Sequence, residues 1–202
     1  MRIAVFGGSF NPPHNGHRNL VEEIHRHGLA EKVILIPAFR PPHKPNTPLA
    51  DYEHRVAMTK LAFAGLPWVE VNELESRRPE KLSYTFDTMV QLESEYPNDE
   101  LLLLIGADSL ANLHSWYQAE ELAERWQVIS YPRPGDNPTL ADLQYNWPPH
   151  LAERLAAGLN KSLPEAAVSS TAIRHALHFG VANGLALPAE VAEYIRKNQL
   201  YR

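Results

Sequence analysis

The sequence predicts an α/β fold: a parallel sheet with helices on both faces and a helical tail behind it. Three observations predict it. Short apolar runs recur, each closed by glycine or proline; the stretches between them carry apolar residues at helical spacing; and after Tyr131 the runs stop while the helical spacing continues. Runs of this kind read as strands buried on both faces, and their alternation with helices reads as parallel pairing through crossovers.

The elements follow in order. Ile3 to Phe6 is the first strand, closed by Gly7 and Gly8. Beyond a proline pair, Leu20, Val21 and Ile24 mark a helix that Gly28 ends. Val33 to Ile36 is the second strand, stopped by Pro37, and Asp51 is placed to cap a helix carrying Tyr52, Val56 and Phe63 as far as Gly65. Trp68 to Val71 alternates as a third strand. Thr85 to Tyr96 holds Phe86, Met89 and Val90 at helical spacing, and "LLLLIG", Leu101 to Gly106, is the clearest buried strand. A helix with Leu122 and Trp126 leads to a fifth strand at Val128 to Ser130. Pro132 to Pro149 reads as irregular. Ser169 to Phe179 and the segment opened by Pro188, with Val191, Tyr194 and Ile195 inward, complete a helical tail. The whole reads as one Rossmann-like domain over 1–202, its core in 1–131 and its helical part in 165–202.

Composition narrows the function. A chain of 202 residues with 44% hydrophobic residues buries a substantial core. The chain has no cysteine, which excludes disulfides, thiolate metal sites and cysteine nucleophiles and makes a cytoplasmic setting the default. No apolar run approaches the roughly 20 residues of a membrane span, and no signal-peptide pattern opens the chain. A net charge of -5 argues against nucleic acid as a partner without excluding a local basic pocket.

In open parallel sheets ligands bind beyond the carboxyl ends of the strands. Gly7-Gly8-Ser9, Arg40 to Lys44, Ser83 to Thr85, Gly106-Ala107-Asp108 and Arg133 all lie there in this reading. Glycines in "GGSF" let backbone N–H groups approach a phosphate at the start of a helix. Neither the dinucleotide fingerprint nor the Walker A pattern is matched. "HNGH" places His14 and His17 at the helix entrance, where imidazoles can donate to phosphate oxygens. Two histidines could also begin a zinc site, but that wants a third protein ligand, and no His-Glu-x-x-His pattern is present.

"GGSFNPPHNGH" resembles the amino-terminal signature of the nucleotidyltransferases with an H-x-G-H motif, and "VSSTAIR", Val168 to Arg174, resembles the second half of that signature. "SYTFDT", "GADSLANLHSWY" and "YIRKNQLYR" are similar to stretches of the nicotinate/nicotinamide mononucleotide adenylyltransferases within that superfamily, most of all the bacterial nicotinate-nucleotide type. The resemblance implies a reaction in which the phosphate of a pyridine mononucleotide attacks the α-phosphorus of ATP and expels pyrophosphate, a step of NAD biosynthesis. It implies His14, His17 and Arg174 as catalytic residues. It further implies ATP contacts from Gly8, Ser9, Phe10, His43, Lys44, Gly106, Asp108, Arg133, Ser170 and Thr171. The mononucleotide falls to Ser83, Tyr84, Thr85, Trp116 and Tyr117. Partners are then ATP and nicotinate mononucleotide, with a homo-oligomer left open, and Mg2+ is carried by the ATP phosphates with no protein metal ligands.

One position departs from the family pattern. Asn11 stands where bacterial members usually show aspartate, whereas asparagine is familiar in the animal nicotinamide mononucleotide enzymes. Asparagine keeps a turn-forming side chain and loses a charge, which leaves the fold intact and puts acid-over-amide preference in question. The rivals are nicotinamide mononucleotide as acceptor, a related enzyme such as phosphopantetheine adenylyltransferase, a non-catalytic nucleotide sensor and a zinc hydrolase.

Overall fold

β1 (Arg2–Gly8) occupies the middle of the sheet because its residues serve two cores at once. Ile3 and Val5 belong to the apolar cluster on one face, Ala4 and Phe6 to the cluster on the other. In the computed structural model, which describes residues 1–42, 48–135, 137–165, 168–181 and 184–202, β1 pairs in parallel with β2 (Lys32–Pro37) on one side and β4 (Glu100–Gly106) on the other. β3 (Val69–Val71) and β5 (Gln127–Tyr131) flank these, giving five parallel strands in the order β3-β2-β1-β4-β5 among the described residues. The chain leaves β1 toward β2 on one side and returns to β4 on the other, so a crevice opens at the carboxyl ends of β1 and β4.

The two faces are covered by different parts of the chain. One core joins Leu101, Leu103 and Ile105 to α3 (Thr85–Glu95), α4 (Ala107–Asn112) and α5 (Ala119–Arg125) through Met89, Leu92, Leu110 and Leu122. The other joins Leu102 and Leu104 to α1 (Asn15–Arg26) and α2 (Tyr52–Ala62) through Leu20, Ile24 and Met58. Both helices of the tail, α8 (Ser170–His178) and α9 (Ala189–Lys197), add Ile173, Val191 and Ile195 to this second core. The tail therefore packs on the face that carries α1. None of the helices among the described residues is long and apolar enough to cross a membrane.

Differences from the sequence reading have local causes. The stretch read as irregular holds α6 (Leu140–Gln144), started by Thr139 and Asp142, whose side chains and backbone N–H groups cap one another reciprocally. The surrounding prolines hid this short turn. α7 (Pro149–Gly158) follows, with proline in its tolerated first position. Asp51 stands at the expected start of α2, but its side chain makes no cap; its carbonyl accepts from Arg55 N–H at 3.1 Å.

α7 ends hard against the edge strand. Leu159 forms an isolated parallel bridge to Ser130, and Asn160 N–H donates to the Ser130 carbonyl at 2.8 Å. A Cβ at Gly158 would press into the Val128 carbonyl oxygen, which is backbone and cannot swing aside. Gly158→Ala is therefore expected to cost about 2 kcal/mol of stability through overpacking, read as a lower urea midpoint; an unchanged midpoint would show that α7 can slide off β5.

Candidate functional site

A loop that is to receive an anion on its N–H groups must turn its carbonyls inward, and buried carbonyls need donors. Between β1 and α1 each donor comes from a different place. The Gly8 carbonyl accepts from Ala38 N–H at 2.8 Å, at the end of β2. That of Ser9 accepts from the Arg55 guanidinium of α2 at 2.8 Å. Asn11 accepts from Arg174 at 2.9 Å, and Pro12 from the Ser170 hydroxyl at 2.8 Å, both on α8. Carbonyl and following N–H point opposite ways across a trans peptide, so tying Gly8 and Ser9 turns the N–H groups of Ser9 and Phe10 away from these donors. Phe10 takes a left-handed φ of +45°, unusual for a bulky residue, and is held there by edge-on packing against Phe6 and His17 at 5.7 and 5.3 Å.

The histidines divide their tasks. His14 is the residue preceding α1, only 3% exposed, and its ring stacks on that of His17 at 3.7 Å. His14 N–H donates to His17 Nδ1 at 3.2 Å, which leaves the His17 ring proton on Nε2. His14 Nδ1 is buried without a hydrogen-bond partner among the described residues. Gly16 keeps the space over it, since a Cβ there would lie 3.0 Å from Nδ1. Burial, with help from the Arg133 charge, holds the His14 imidazole down at about 4. It is neutral at pH 7.

A second group gathers beyond β4 and β5. Arg133 Nε lies 3.4 Å from Asp108 Oδ1, and Arg133 Nη2 donates to the Tyr131 hydroxyl at 3.4 Å. Asp108 Oδ1 and Arg133 Nε are both buried and without a hydrogen bond. At Gly106 a Cβ would collide with Asp108 Oδ1, so glycine is needed to let the carboxylate in. Among the described residues, three of the buried side-chain atoms that make no hydrogen bond thus belong to His14, Asp108 and Arg133, the last two facing each other as an ion pair. Buried polar atoms without partners are rare and call for a ligand or water.

The third group stands beyond β2 and at the start of α3. Ser83 Oγ accepts from Arg40 N–H at 2.8 Å, and Ser83 N–H donates to the Arg40 carbonyl at 3.0 Å. Tyr84 immediately precedes α3, which Thr85 opens. Tyr117, 47% exposed, faces Tyr84 with ring centroids 4.8 Å apart, while Trp116 leans on the core beneath. Ser169 caps α8 through its hydroxyl, and Thr171 Oγ1 accepts from Arg174 at 3.2 Å. His43 and Lys44 lie outside the described residues. No group of three or more His, Asp or Glu side chains that could hold a metal occurs among the described residues.

Two functional positions escaped the sequence reading. Arg55, 2% exposed, holds both the Ser9 carbonyl and that of Ala50, the latter at 3.0 Å. A charged residue within the buried stripe of α2 was the available signal. Asn11 was taken to bear on substrate preference, but its side chain is turned inward: it donates to the Pro48 carbonyl at 3.0 Å, and its Oδ1 accepts from Ala50 N–H at 3.0 Å and the Tyr201 hydroxyl at 2.8 Å. Its amide is spent on the protein. The donor to Pro48 is one that aspartate lacks.

Residues 5–176 match the cytidylyltransferase-like family model. A nicotinate-nucleotide adenylyltransferase from Bacillus subtilis (strain 168) is 36% identical over 200 residues, covering 99% of this chain and 98% of the relative. A solved structure of Plasmodium falciparum nicotinic acid mononucleotide adenylyltransferase complexed with NaAD superposes with a TM-score of 0.78 at 18% identity, covering 99% of this chain and 97% of that one. The same enzyme complexed with APC gives a TM-score of 0.77 at 17% identity, over 99% of this chain and 96% of that one.

The His14 shift fixes a pH dependence. The unfolded imidazole, near 6.5, binds protons that the folded one refuses until about 4, so stability rises with pH across that window and is lost on acidification. Between pH 7 and 4 the wild type should lose about 3 kcal/mol more than a His14→Gln variant, at 1.36 kcal/mol per pH unit. Parallel pH–stability curves from urea titrations would show that His14 protonates freely in the fold.

Proposed function

We infer function from kinship and geometry together: the chain belongs to the cytidylyltransferase-like family and, within it, to the nicotinate-nucleotide adenylyltransferases. It transfers the adenylyl group of ATP to nicotinate mononucleotide, giving deamido-NAD and pyrophosphate, in NAD biosynthesis. The observation that carries the site assignment is the buried His14 Nδ1 without a hydrogen-bond partner, together with the Asp108–Arg133 ion pair whose facing atoms make no hydrogen bond, at the crevice between β1 and β4.

The chemistry asks for position and charge neutralisation. An oxygen of the mononucleotide phosphate forms a bond to the α-phosphorus, and the bond from that phosphorus to the β-phosphate oxygen breaks as pyrophosphate leaves with the electron pair. The nucleophile arrives charged, so the protein need not deprotonate anything; donors that meet the phosphates carry the rate. In this reading the N–H groups of Ser9 and Phe10, the Nε2–H of His17 and the start of α1 receive the phosphates. Arg174 and Arg133 add charge, with Ser170, Thr171 and Gly8 shaping the same wall. An arriving triphosphate favours the protonated form of His14 and so raises its proton affinity. His43 and Lys44 complete the phosphate contacts, a role that rests on the sequence resemblance.

Asp108 and Gly106 receive the ribose end of ATP. Tyr84, Thr85, Trp116 and Tyr117 enclose the pyridine, with Tyr117 parting from Tyr84 to admit it. Ser83 supports this wall through Arg40. The donor set of histidines, arginines and N–H groups suits phosphate and not Mg2+; the metal, which supplies charge neutralisation on the triphosphate, would ride on phosphate oxygens and water. One domain spans 1–202 in this reading, and the absence of cysteine fits a cytoplasmic setting.

His17→Ala should lower kcat/KM by about 100-fold, roughly 3 kcal/mol, as expected for one well-placed phosphate donor; turnover within threefold of wild type would remove His17 from the reaction. Because the Asn11 side chain is spent internally, it has no part in choosing the pyridine. Pyrophosphate release with ATP and Mg2+ should therefore favour nicotinate mononucleotide over its amide by tenfold or more, about 1.4 kcal/mol. Equal rates would contradict the acid preference.

A further inference from the structure

We propose that Tyr201 is a positioning residue for ATP, acting through Asn11 on the loop between β1 and α1. The proposal rests on the reading that this loop receives the triphosphate. Asn11 is 2% exposed and works as a spindle: its main-chain carbonyl is held by Arg174, while its side chain joins Pro48, Ala50 and Tyr201. Its neighbours in the chain are Phe10, whose N–H is turned outward, and Pro12, tied to Ser170. Any rotation of Asn11 therefore moves the peptide groups that meet phosphate. The Pro48–Ala50 segment, the described end of the stretch that carries His43 and Lys44, is gripped by the same amide and by Arg55.

The hydroxyl of Tyr201 settles how Asn11 is turned. It donates to Oδ1 at 2.8 Å, and burial pushes the phenol above its ordinary range, so it remains a donor at every assay pH near neutrality. The ring itself packs against the apolar core shared by α1, α8 and α9. These two roles separate cleanly. Removing the hydroxyl leaves the ring packed and leaves Oδ1 the N–H of Ala50, so no buried acceptor is stranded. What is lost is the second donor that fixes the orientation of Oδ1. Misplacing catalytic peptide groups by a fraction of an ångström is enough to weaken an interaction that depends on aim.

The test compares wild type with Tyr201→Phe. Calorimetry with a non-hydrolysable ATP analogue and Mg2+ should show affinity falling about fivefold, while the KM for nicotinate mononucleotide and the melting temperature stay close to wild type. In an Asn11→Ala background the same Tyr201→Phe change should have no further effect on ATP affinity, because its route is gone. Unchanged analogue affinity in Tyr201→Phe overturns the proposal, as does a parallel loss for both substrates together with a lower melting temperature, which would mark a purely structural hydroxyl. Additive losses in the double variant overturn the route through Asn11. If Asn11→Ala does not fold, the split between the two substrates in Tyr201→Phe decides alone. A wild type that fails to bind the analogue would overturn the adenylyl reading itself, a result distinct from a wild type that binds and a variant that binds equally.

Discussion

The crevice depends on how four carbonyls are held. Gly8, Ser9, Asn11 and Pro12 each give their oxygen to a donor from β2, α2 or α8, and the ties on Gly8 and Ser9 orient the N–H groups on the opposite side of their peptides. Three of the four donors are side chains, and the fourth is the N–H of Ala38, so the conformation of the loop is imposed from around it. The price appears in Phe10, forced to positive φ and kept there by aromatic packing.

Two of the four ties are arginines, and they differ in kind. Arg174 reaches the loop from α8 and also bonds Thr171, so it sits where a ligand can share it. Arg55 is fully enclosed, its guanidinium satisfied by the carbonyls of Ser9 and Ala50 and lying over the Tyr52 ring at 5.4 Å. Burial draws its pKa below the ordinary arginine value, yet from so high a start that the charge persists. A cation locked beneath an anion-binding loop contributes field without ever touching the anion. His14 is neutral, and Arg133 is paired with Asp108.

The sheet and its helices were legible because their signals are local. Apolar runs closed by glycine or proline marked β1, β2 and β4, alternation marked β3, and Gly28, Gly65 and Gly180 take the positive φ expected of helix stops. His14, His17 and the α8 residues were legible as types in a pattern. What escaped was tertiary bonding: Arg55 to Ser9, Ser83 to Arg40 and Tyr201 to Asn11 join residues far apart in sequence, and no spacing rule connects them. The Asn11 substitution shows the limit most clearly. Its loss of charge was visible, whereas the three partners that consume its amide were not. Tyr84 and Tyr117 were assigned to one site by resemblance, but the contact between their rings was not legible in the sequence.

The ties around the loop also form a timetable. Arg55 lies 46 positions from Ser9, and the Pro48 and Ala50 contacts of Asn11 span 37 and 39, whereas Ser170, Arg174 and Tyr201 lie 158, 163 and 190 positions from their partners. During synthesis at about 5–20 residues per second, the early ties become available within seconds of the loop, and the late ones only after roughly 10–40 s. A ribosome-bound chain therefore carries a loop gripped on one side and open on the other for most of its time on the ribosome. Nucleotide met in that interval finds half a cradle, and the final closure of the crevice coincides with the emergence of α8 and the tail.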